Sequence, residues 1–284
     1  MRIALLSIED LSDFVADDAL VVEPLRRLGH VAEFVPWQAP TQWRDYDGVV
    51  IRTTWDYQHY LDAFLSVLQE IETQSRLANP LEIVKWNADK KTYLQDIESR
   101  GGQIIPTVWN QGNIERRQVQ EWFEQFQTDE LVIKPTVGAN AQDAFRLKRG
   151  AYPDELSTVF DKRFYMVQPF MRRIVEEGEF SLFYFNGEYS HTILKTPKAG
   201  DFRVQEEHGG LIQAAKPEAE LLATGEKIMQ YISPVPLYAR VDFVRTDDGE
   251  FALVELELIE PSMYLREAKH APQMFAEAID QWLQ

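Results

Sequence analysis

The stretch YARVDFVRTDDGEFALVELELIEP, residues 238–261, decides how the rest of the chain is read. Strand side chains alternate with period two, so Tyr238, Arg240, Asp242 and Val244 share one face of a first strand. Asp247, Asp248 and Gly249 supply a turn. In the returning strand Ala252, Val254, Leu256 and Leu258 read as an apolar face, and Glu255 and Glu257 point together to the other side. Two ionised carboxylates ~7 Å apart repel by roughly 2 kcal/mol at an effective dielectric of about 20, and Asp242 on the adjacent strand adds to that. A hard divalent cation such as magnesium, which takes oxygen ligands, would relieve the repulsion. Taken alone, the segment reads equally well as a solvated strand face with ordinary surface acids.

Residues 2–8 form an apolar strand, residues 17–28 a helix stopped by Gly29, residues 31–35 a second strand and VVIRTTW, 49–55, a third. Residues 58–73 repeat apolar side chains at helical spacing. This alternation predicts a small α/β unit with a mainly parallel sheet, ending near Pro80–Lys85. A helix over 88–100, the strand QIIPT at 103–107 and a helix over 114–126 come next. Strands then arrive in hairpins: LVIKP with AFRLK, and EFSLFYF with EYSHTILK around the type I′ signal Asn186-Gly187. A helix at 217–232 precedes the acidic hairpin, and a last helix runs from 266 to 283.

With 284 residues, 45% of them hydrophobic, the chain can fill two or three compact units. A net charge of −17 argues against a nucleic-acid backbone or an anionic membrane as partner. Having no cysteine excludes disulfides, thiolate catalysis and cysteine-ligated metal. The N-terminal apolar run is too short for a secretory signal and there is no apolar stretch long enough to span a bilayer, so a cytoplasmic protein is expected. No surface stripe marks an assembly; a homodimer is the candidate carried forward.

Four further clusters carry chemistry. In LVIKPTVGANAQDAFRL, 131–147, Lys134 ends an apolar strand, and Gly138 with its small neighbours lets backbone N–H groups approach an anion. It is not a Walker A loop, for it lacks GK[ST] and no helix follows. In FYMVQPFMRRIVEEGEFSL, 164–182, Pro169 lacks an N–H, which marks an edge strand or a linker. Gln168, Pro169, Phe170 and Met171 there leave backbone groups free to read an adenine edge, and Glu176, Glu177 and Glu179 stand within reach of ribose hydroxyls. In SHTILKTPKAGDFRVQEEHGG, 190–210, Lys195 and Arg203 belong to a pliable cationic loop able to neutralise phosphate. In VVIRTTWDY, 49–57, Arg52 and Asp56 sit where a strand ends, the usual ligand position of open α/β sheets. Arg52 there suits a bidentate pair with a substrate carboxylate, and equally a buried structural pair with Asp56.

The order of these features resembles the ATP-grasp superfamily over residues 85–265: Lys90 or Lys91 near a helix start, Lys134, the 168–179 hinge, the cations at 195–203, then Asp242 and Glu255-x-Glu257. The motifs Trp86-Asn87-x-x-Lys90, RTTWDY, GEFSLFYFNGEYSH, LKTPKAGDFRVQEEHGG and ELELIEPS are similar to the branch that contains O-ureido-serine cyclo-ligase. The resemblance implies an α/β plus α+β chain with an ATP-grasp fold. A small Rossmann-like N-terminal domain, 1–84, would precede two α+β subdomains, 85–165 and 166–284, that clasp ATP. It implies an ATP- and magnesium-dependent ligase that activates a small amino-acid-like carboxylate as an acyl-phosphate and joins it to an amine-type nucleophile. Two Mg2+ ions are implied, with Mn2+ as a substitute.

Carried over by position, Lys134 and one of Lys90 and Lys91 contact ATP phosphates, Gln168–Met171 the adenine, and Glu176 or Glu179 the ribose. Asp242, Glu255 and Glu257 ligate the metal; relatives often have Asn at the Glu257 position, which makes Glu260 a substitute candidate. Arg203, Arg240 and Lys195 stand by the transferring phosphoryl group. Arg52, Thr54, Asp56, Tyr57, Glu260 and Ser262 would face the substrate. A non-catalytic ATP-binding regulator and a phosphotransferase that stops at the phosphorylated product are the rival readings.

Overall fold

A computed structural model describes residues 1–284. The N-terminal sheet contains β1 (Arg2–Ser7), β2 (Val31–Pro36), β3 (Gly48–Thr53) and β4 (Arg76–Ala78), all parallel in the order β2-β1-β3-β4. Every residue of β3 is buried, as expected of a parallel strand covered on both faces. The first helix is a 3₁₀ turn, Asp18–Val21, leading into α1 (Val22–Arg27). The second, α2 (Leu61–Gln74), packs Phe64, Leu68 and Ile71 onto the sheet; residues 57–59 form a separate 3₁₀ turn ahead of it.

The helix expected at 88–100 is two helices, α3 (Leu81–Asn87) and α4 (Lys90–Ser99). Asp89 caps α4, its carboxylate accepting from the Lys91 N–H at 2.9 Å. Asn87 at the break donates to the Leu256 carbonyl and accepts from the Leu258 N–H, each at 2.8 Å, which ties this corner to the acidic hairpin. The expected strand QIIPT contributes only a bridge between Ile104 and Leu253, because Pro106 has no N–H to extend a ladder. The strand β5 is Val108–Gln111 instead.

The second sheet is antiparallel, in the order β5-β8-β6-β7, with β6 at Glu130–Pro135, β7 at Phe145–Lys148 and β8 at Phe164–Pro169. Between β5 and β6 lies α5 (Arg116–Gln125), which opens with a capping box of Glu115 and Gln118 and buries Val119, Trp122 and Phe123 on the sheet. The turn α6 (Leu156–Val159) precedes β8. The edge or linker expected at Pro169 is corrected: β8 lies between two partners, and Pro169 is tolerated as its last residue, opposite Leu131.

After the short α7 (Arg173–Glu176), the third sheet runs β11-β10-β9-β12-β13, all antiparallel. Its strands are β9 (Glu179–Phe185), β10 (Glu188–Thr196), β11 (Leu211–Ala214), β12 (Tyr238–Arg245) and β13 (Phe251–Glu257). Asn186 and Gly187 both take left-handed φ, 49° and 80°, as a type I′ turn requires. The edge strand β11 has no counterpart in the sequence reading. The helix α8 (Ala219–Met229) packs on the far face, and the last helix, α9, starts at Ala271 rather than 266 because residues 265–267 form a 3₁₀ turn.

A β-bulge in the acidic hairpin corrects the expected face. Asp242 pairs with Glu255 but Phe243 pairs with Leu253, so Val254 is an extra residue. Leu253, Leu256 and Leu258 therefore join the core under α8, while Ala252 and Val254 pack with Val244 and Ile105 on the other side. The boundaries drawn at 84/85 and 165/166 fall inside α3 and β8. No helix is long and apolar enough to cross a membrane.

His191 on β10 gives the fold a pH dependence. It is 5% exposed, stacked on Phe183 at 4.3 Å, and bonded to Ser190 and the Met263 carbonyl. Burial lowers its pKa to about 4. The folded state thus favours neutral imidazole, so this contribution is complete above pH ~6.5 and is lost as pH falls towards the folded value, roughly 3 kcal/mol in all. Denaturant titrations should show wild-type stability falling more steeply between pH 6.5 and 4.5 than that of His191→Gln. Equal slopes would refute it.

Candidate active site

One cleft lies between the second and third sheets, closed at one end by the α3–α4 corner and by residues 55–57 and 260–264. The Asp242–Glu255 and Arg240–Glu257 pairs face each other across the β12–β13 ladder and all four side chains line it. Lys195 Nζ sits 2.5 Å from Glu179 Oε1 and 3.2 Å from Asp242 Oδ2. The Ser181 hydroxyl donates to Asp242 at 2.5 Å, Arg240 Nε lies 3.1 Å from both Asp242 oxygens, and the same guanidinium pairs with Glu257. Burial alone would raise the Asp242 pKa, but Arg240, Lys195 and Ser181 outweigh it and hold the carboxyl below its ordinary value. Lys195 is itself raised: burial lowers it, and Asp242 and Glu179 more than reverse that.

Lys134 and Lys90 stand over this network. Lys90 Nζ pairs with Glu255 at 2.9 Å and donates to the Gly138 carbonyl at 2.7 Å, joining the hairpin to the loop after β6. Lys134 has no ion-pair partner, and burial lowers its pKa against the pull of Glu255. In the loop, Asn140, Ala141 and Asp143 adopt left-handed φ of 51°, 52° and 58°. Non-glycine residues rarely do so, and such strain gathers at functional loops. The backbone N–H groups from Gly138 to Ala141 make no hydrogen bond within the protein; a run of free N–H groups is an anion nest. Ile105, Val132, Phe170, Met171, Ile174 and Val254 give the cleft an apolar part. Phe170 is fixed edge-on to Phe202 at 6.1 Å and beneath the Arg146 guanidinium at 3.6 Å. Gln168 donates to the Thr107 hydroxyl at 2.9 Å.

The acids suit a hard cation by chemistry, for Asp242, Glu255 and Glu257 present oxygen donors from one sheet face. They do not converge into a closed ligand set; each is drawn to a lysine or arginine. Burial, with Glu255 and Asp242 close by, pushes Glu257 up to about 7 despite Arg240, and burial with Glu257 pushes Glu260 up to about 8. A cation held there would favour their ionised forms.

Most of the residues singled out in the sequence come together. Lys90, Lys134, Gly138, Gln168 to Met171, Glu179, Lys195, Arg203, Arg240, Asp242, Glu255, Glu257, Tyr57, Glu260 and Ser262 all line the cleft. Arg203 does so while forked onto Asp201, with distances of 2.8 and 3.1 Å. Of the two lysines at the start of α4, Lys90 faces the cleft and Lys91 lies outside it, over the Phe164 ring at 5.3 Å. Glu176 is exposed on α7, 3.9 Å from Arg173, which leaves Glu179 as the one of that pair inside.

Three residues expected at the substrate do not line the cleft. Arg52 is fully buried, paired with Asp18 at 2.5 Å and donating to the Pro261 carbonyl at 2.8 Å. It thus supports the 260–262 segment from behind. Asp56 does not pair with Arg52 but accepts from the Trp37 indole at 2.7 Å. Thr54 is buried, its hydroxyl without a partner. Sequence reasoning gave no role to Trp55, whose indole donates to the Glu260 carbonyl at 2.8 Å, to Ser181, or to Tyr264, a cleft residue with left-handed φ of 45°. Trp55 lay inside a quoted motif; Ser181 looked like any polar strand residue.

Residues 3–79 match the family described as D-cycloserine synthetase DcsG, N-terminal domain. The chain is 30% identical over 278 residues to the cycloserine biosynthesis protein DcsG of Streptomyces lavendulae, covering 91% of each. The crystal structure of D-cycloserine synthetase DcsG superimposes with a TM-score of 0.86 at 25% identity, covering 100% of both chains. The ATP-grasp ligase PsnB, solved with a precursor variant, Mg and ADP, gives a TM-score of 0.70 at 14% identity, covering 100% of this chain and 98% of that one.

Proposed function

The chain belongs to the family of the cycloserine biosynthesis protein DcsG and is an ATP-dependent C–N ligase with the ATP-grasp fold, and from that premise we propose that it closes a small amino-acid-like carboxylate onto an amine-type nitrogen of the same molecule. The single observation that carries this reading is the cleft itself. Five lysine and arginine side chains, the Gly138–Ala141 loop, apolar residues and the acids Asp242, Glu255 and Glu257 all line it.

The adenine would occupy the apolar part beside Gln168–Met171, with Glu179 nearest the ribose end. Lys90, Lys134 and the Gly138–Ala141 N–H groups would bind the phosphate oxygens. Asp242, Glu255 and Glu257 would hold two magnesium ions, or manganese in their place, and the metal when bound offsets negative charge on the phosphoryl group. The substrate carboxylate oxygen attacks the γ-phosphorus and ADP leaves. Arg203 and Arg240 stabilise the charge that develops between them, and Lys195 holds Asp242 and Glu179 in place. Tyr57, Glu260 and Ser262 orient the substrate so that its nitrogen attacks the acyl carbon and inorganic phosphate departs. Closing the cleft excludes water, which would otherwise hydrolyse the acyl-phosphate.

The test is ADP release with magnesium and ATP against a panel of amino acids and ureido-amino acids. At least one member should raise the rate well above the basal value. A flat response across the panel would remove the proposed ring closure of a small amino-acid-like substrate.

A further inference from the structure

We propose that Gln205 determines substrate specificity: its side-chain amide receives an N–H group of the small carboxylate substrate. This rests on the ligase reading and extends it to a residue with no role in the mechanism above.

Gln205 lines the cleft, yet its amide oxygen is shielded from solvent and has no hydrogen-bond partner. A buried acceptor left unpaired is costly, and proteins seldom keep one without a use.

The backbone around it is held firmly. The Gln205 carbonyl accepts from the N–H groups of His208 and Gly210, each at 3.0 Å. Gly209 takes a left-handed φ of 83°, and a Cβ on Gly210 would meet the Val204 carbonyl oxygen at 2.1 Å, so this tight turn admits only glycine there. On the outer side Arg266 grips Glu206 with 2.7 Å contacts to both oxygens, and also pairs with Asp17 at 3.0 Å.

Position along the cleft indicates what Gln205 reads. The loop passes the apolar part of the cleft, where Phe202 packs edge-on to Phe170, and at Glu206 it is held by Arg266, whose guanidinium lies 5.3 Å from the Tyr264 ring. His208 meets the carbonyl of Asn140 in the anion-nest loop at 3.1 Å. Gln205 shares the cleft lining with Tyr264 and Ser262, the segment that would face the substrate, and its neighbour Glu206 is held by the same Arg266 that packs on Tyr264. An acceptor at that point selects substrates that bring a donor and penalises those that leave it unpaired.

The test is calorimetric titration of O-ureidoserine, both enantiomers, into the full chain saturated with magnesium and AMPPNP, comparing wild type with Gln205→Met and Gln205→Glu. Methionine keeps the size and removes the acceptor; glutamate keeps an acceptor. The expected result is binding to wild type, weaker by about tenfold or more in Gln205→Met and closer to wild type in Gln205→Glu, with AMPPNP affinity unchanged in both. O-ureidoserine affinity in Gln205→Met within about twofold of wild type, equal losses in the two variants, or a parallel loss of AMPPNP affinity would each overturn the proposal while leaving the ligase reading intact. Wild type that binds AMPPNP and neither enantiomer would overturn both this proposal and the closure of a ureido-amino acid, while leaving the ATP-dependent ligase assignment standing.

Discussion

Replacing Glu255 with glutamine should lower substrate-dependent kcat/KM by about a hundred- to a thousandfold, on the order of 3–4 kcal/mol in the barrier. Glu255 touches Lys90 at 2.9 Å and stands opposite Asp242, so one oxygen set serves both a lysine proposed at the phosphates and the proposed metal. The amide keeps the shape and one acceptor but loses the charge, and it leaves Lys90 without its counterion. Lys90 should then draw nucleotide phosphate at least as well, so nucleotide affinity without metal should hold while the metal requirement rises. The check is a magnesium titration of ADP release in both proteins. A variant with wild-type rate at saturating magnesium would mean that the Glu255 charge takes no part in the chemistry.

The second large effect is on stability. Arg52→Met should cost about 3–5 kcal/mol of unfolding free energy, because Asp18 would remain buried as an unpaired carboxylate. Asp18 and Arg52 are 2% and 0% exposed, and the guanidinium also packs against Tyr238 at 4.8 Å. Removing both charges together, as Arg52→Met with Asp18→Leu, should recover a large part of the loss, since the main penalty is the orphaned charge and not the missing attraction. Equilibrium urea unfolding of the two variants measures this. A single variant as stable as wild type would show that the pair is not desolvated.

These two residues also show what sequence can and cannot carry. Glu255 was legible because period-two alternation places it with Glu257 and opposite Asp242, across a turn marked by Asp-Asp-Gly. Arg52 was not: a charged residue at a strand end reads the same whether it faces a ligand or a buried partner, and its partners Asp18 and Pro261 lie 34 and 209 residues away. The bulge at Val254 left no mark because an inserted valine continues the apolar texture, although it reassigns Ala252 and Val254 to another core. Pro169 misled in the opposite sense. A residue that cannot donate suggested an edge, whereas the last position of a central strand needs no donor. The short strand β11 and helix α3 were too brief to show a period, and tertiary packing decides such elements. Lys134, Glu179, Lys195, Arg240, Asp242, Glu255 and Glu257 survived these errors because they sit on β6, β9, β10, β12 and β13, strands the sequence marked by their hairpin order, whereas Lys90 lies on α4 and Arg203 and Glu260 on loops.

The central claim is that the substrate carboxylate is phosphorylated inside this cleft before the new C–N bond forms. It is tested most directly by running a single turnover with substrate labelled with ¹⁸O in its carboxylate and examining the inorganic phosphate by mass spectrometry. The account predicts one labelled oxygen in each phosphate released with product. Unlabelled phosphate, or label retained in a stable phosphorylated compound, would contradict it.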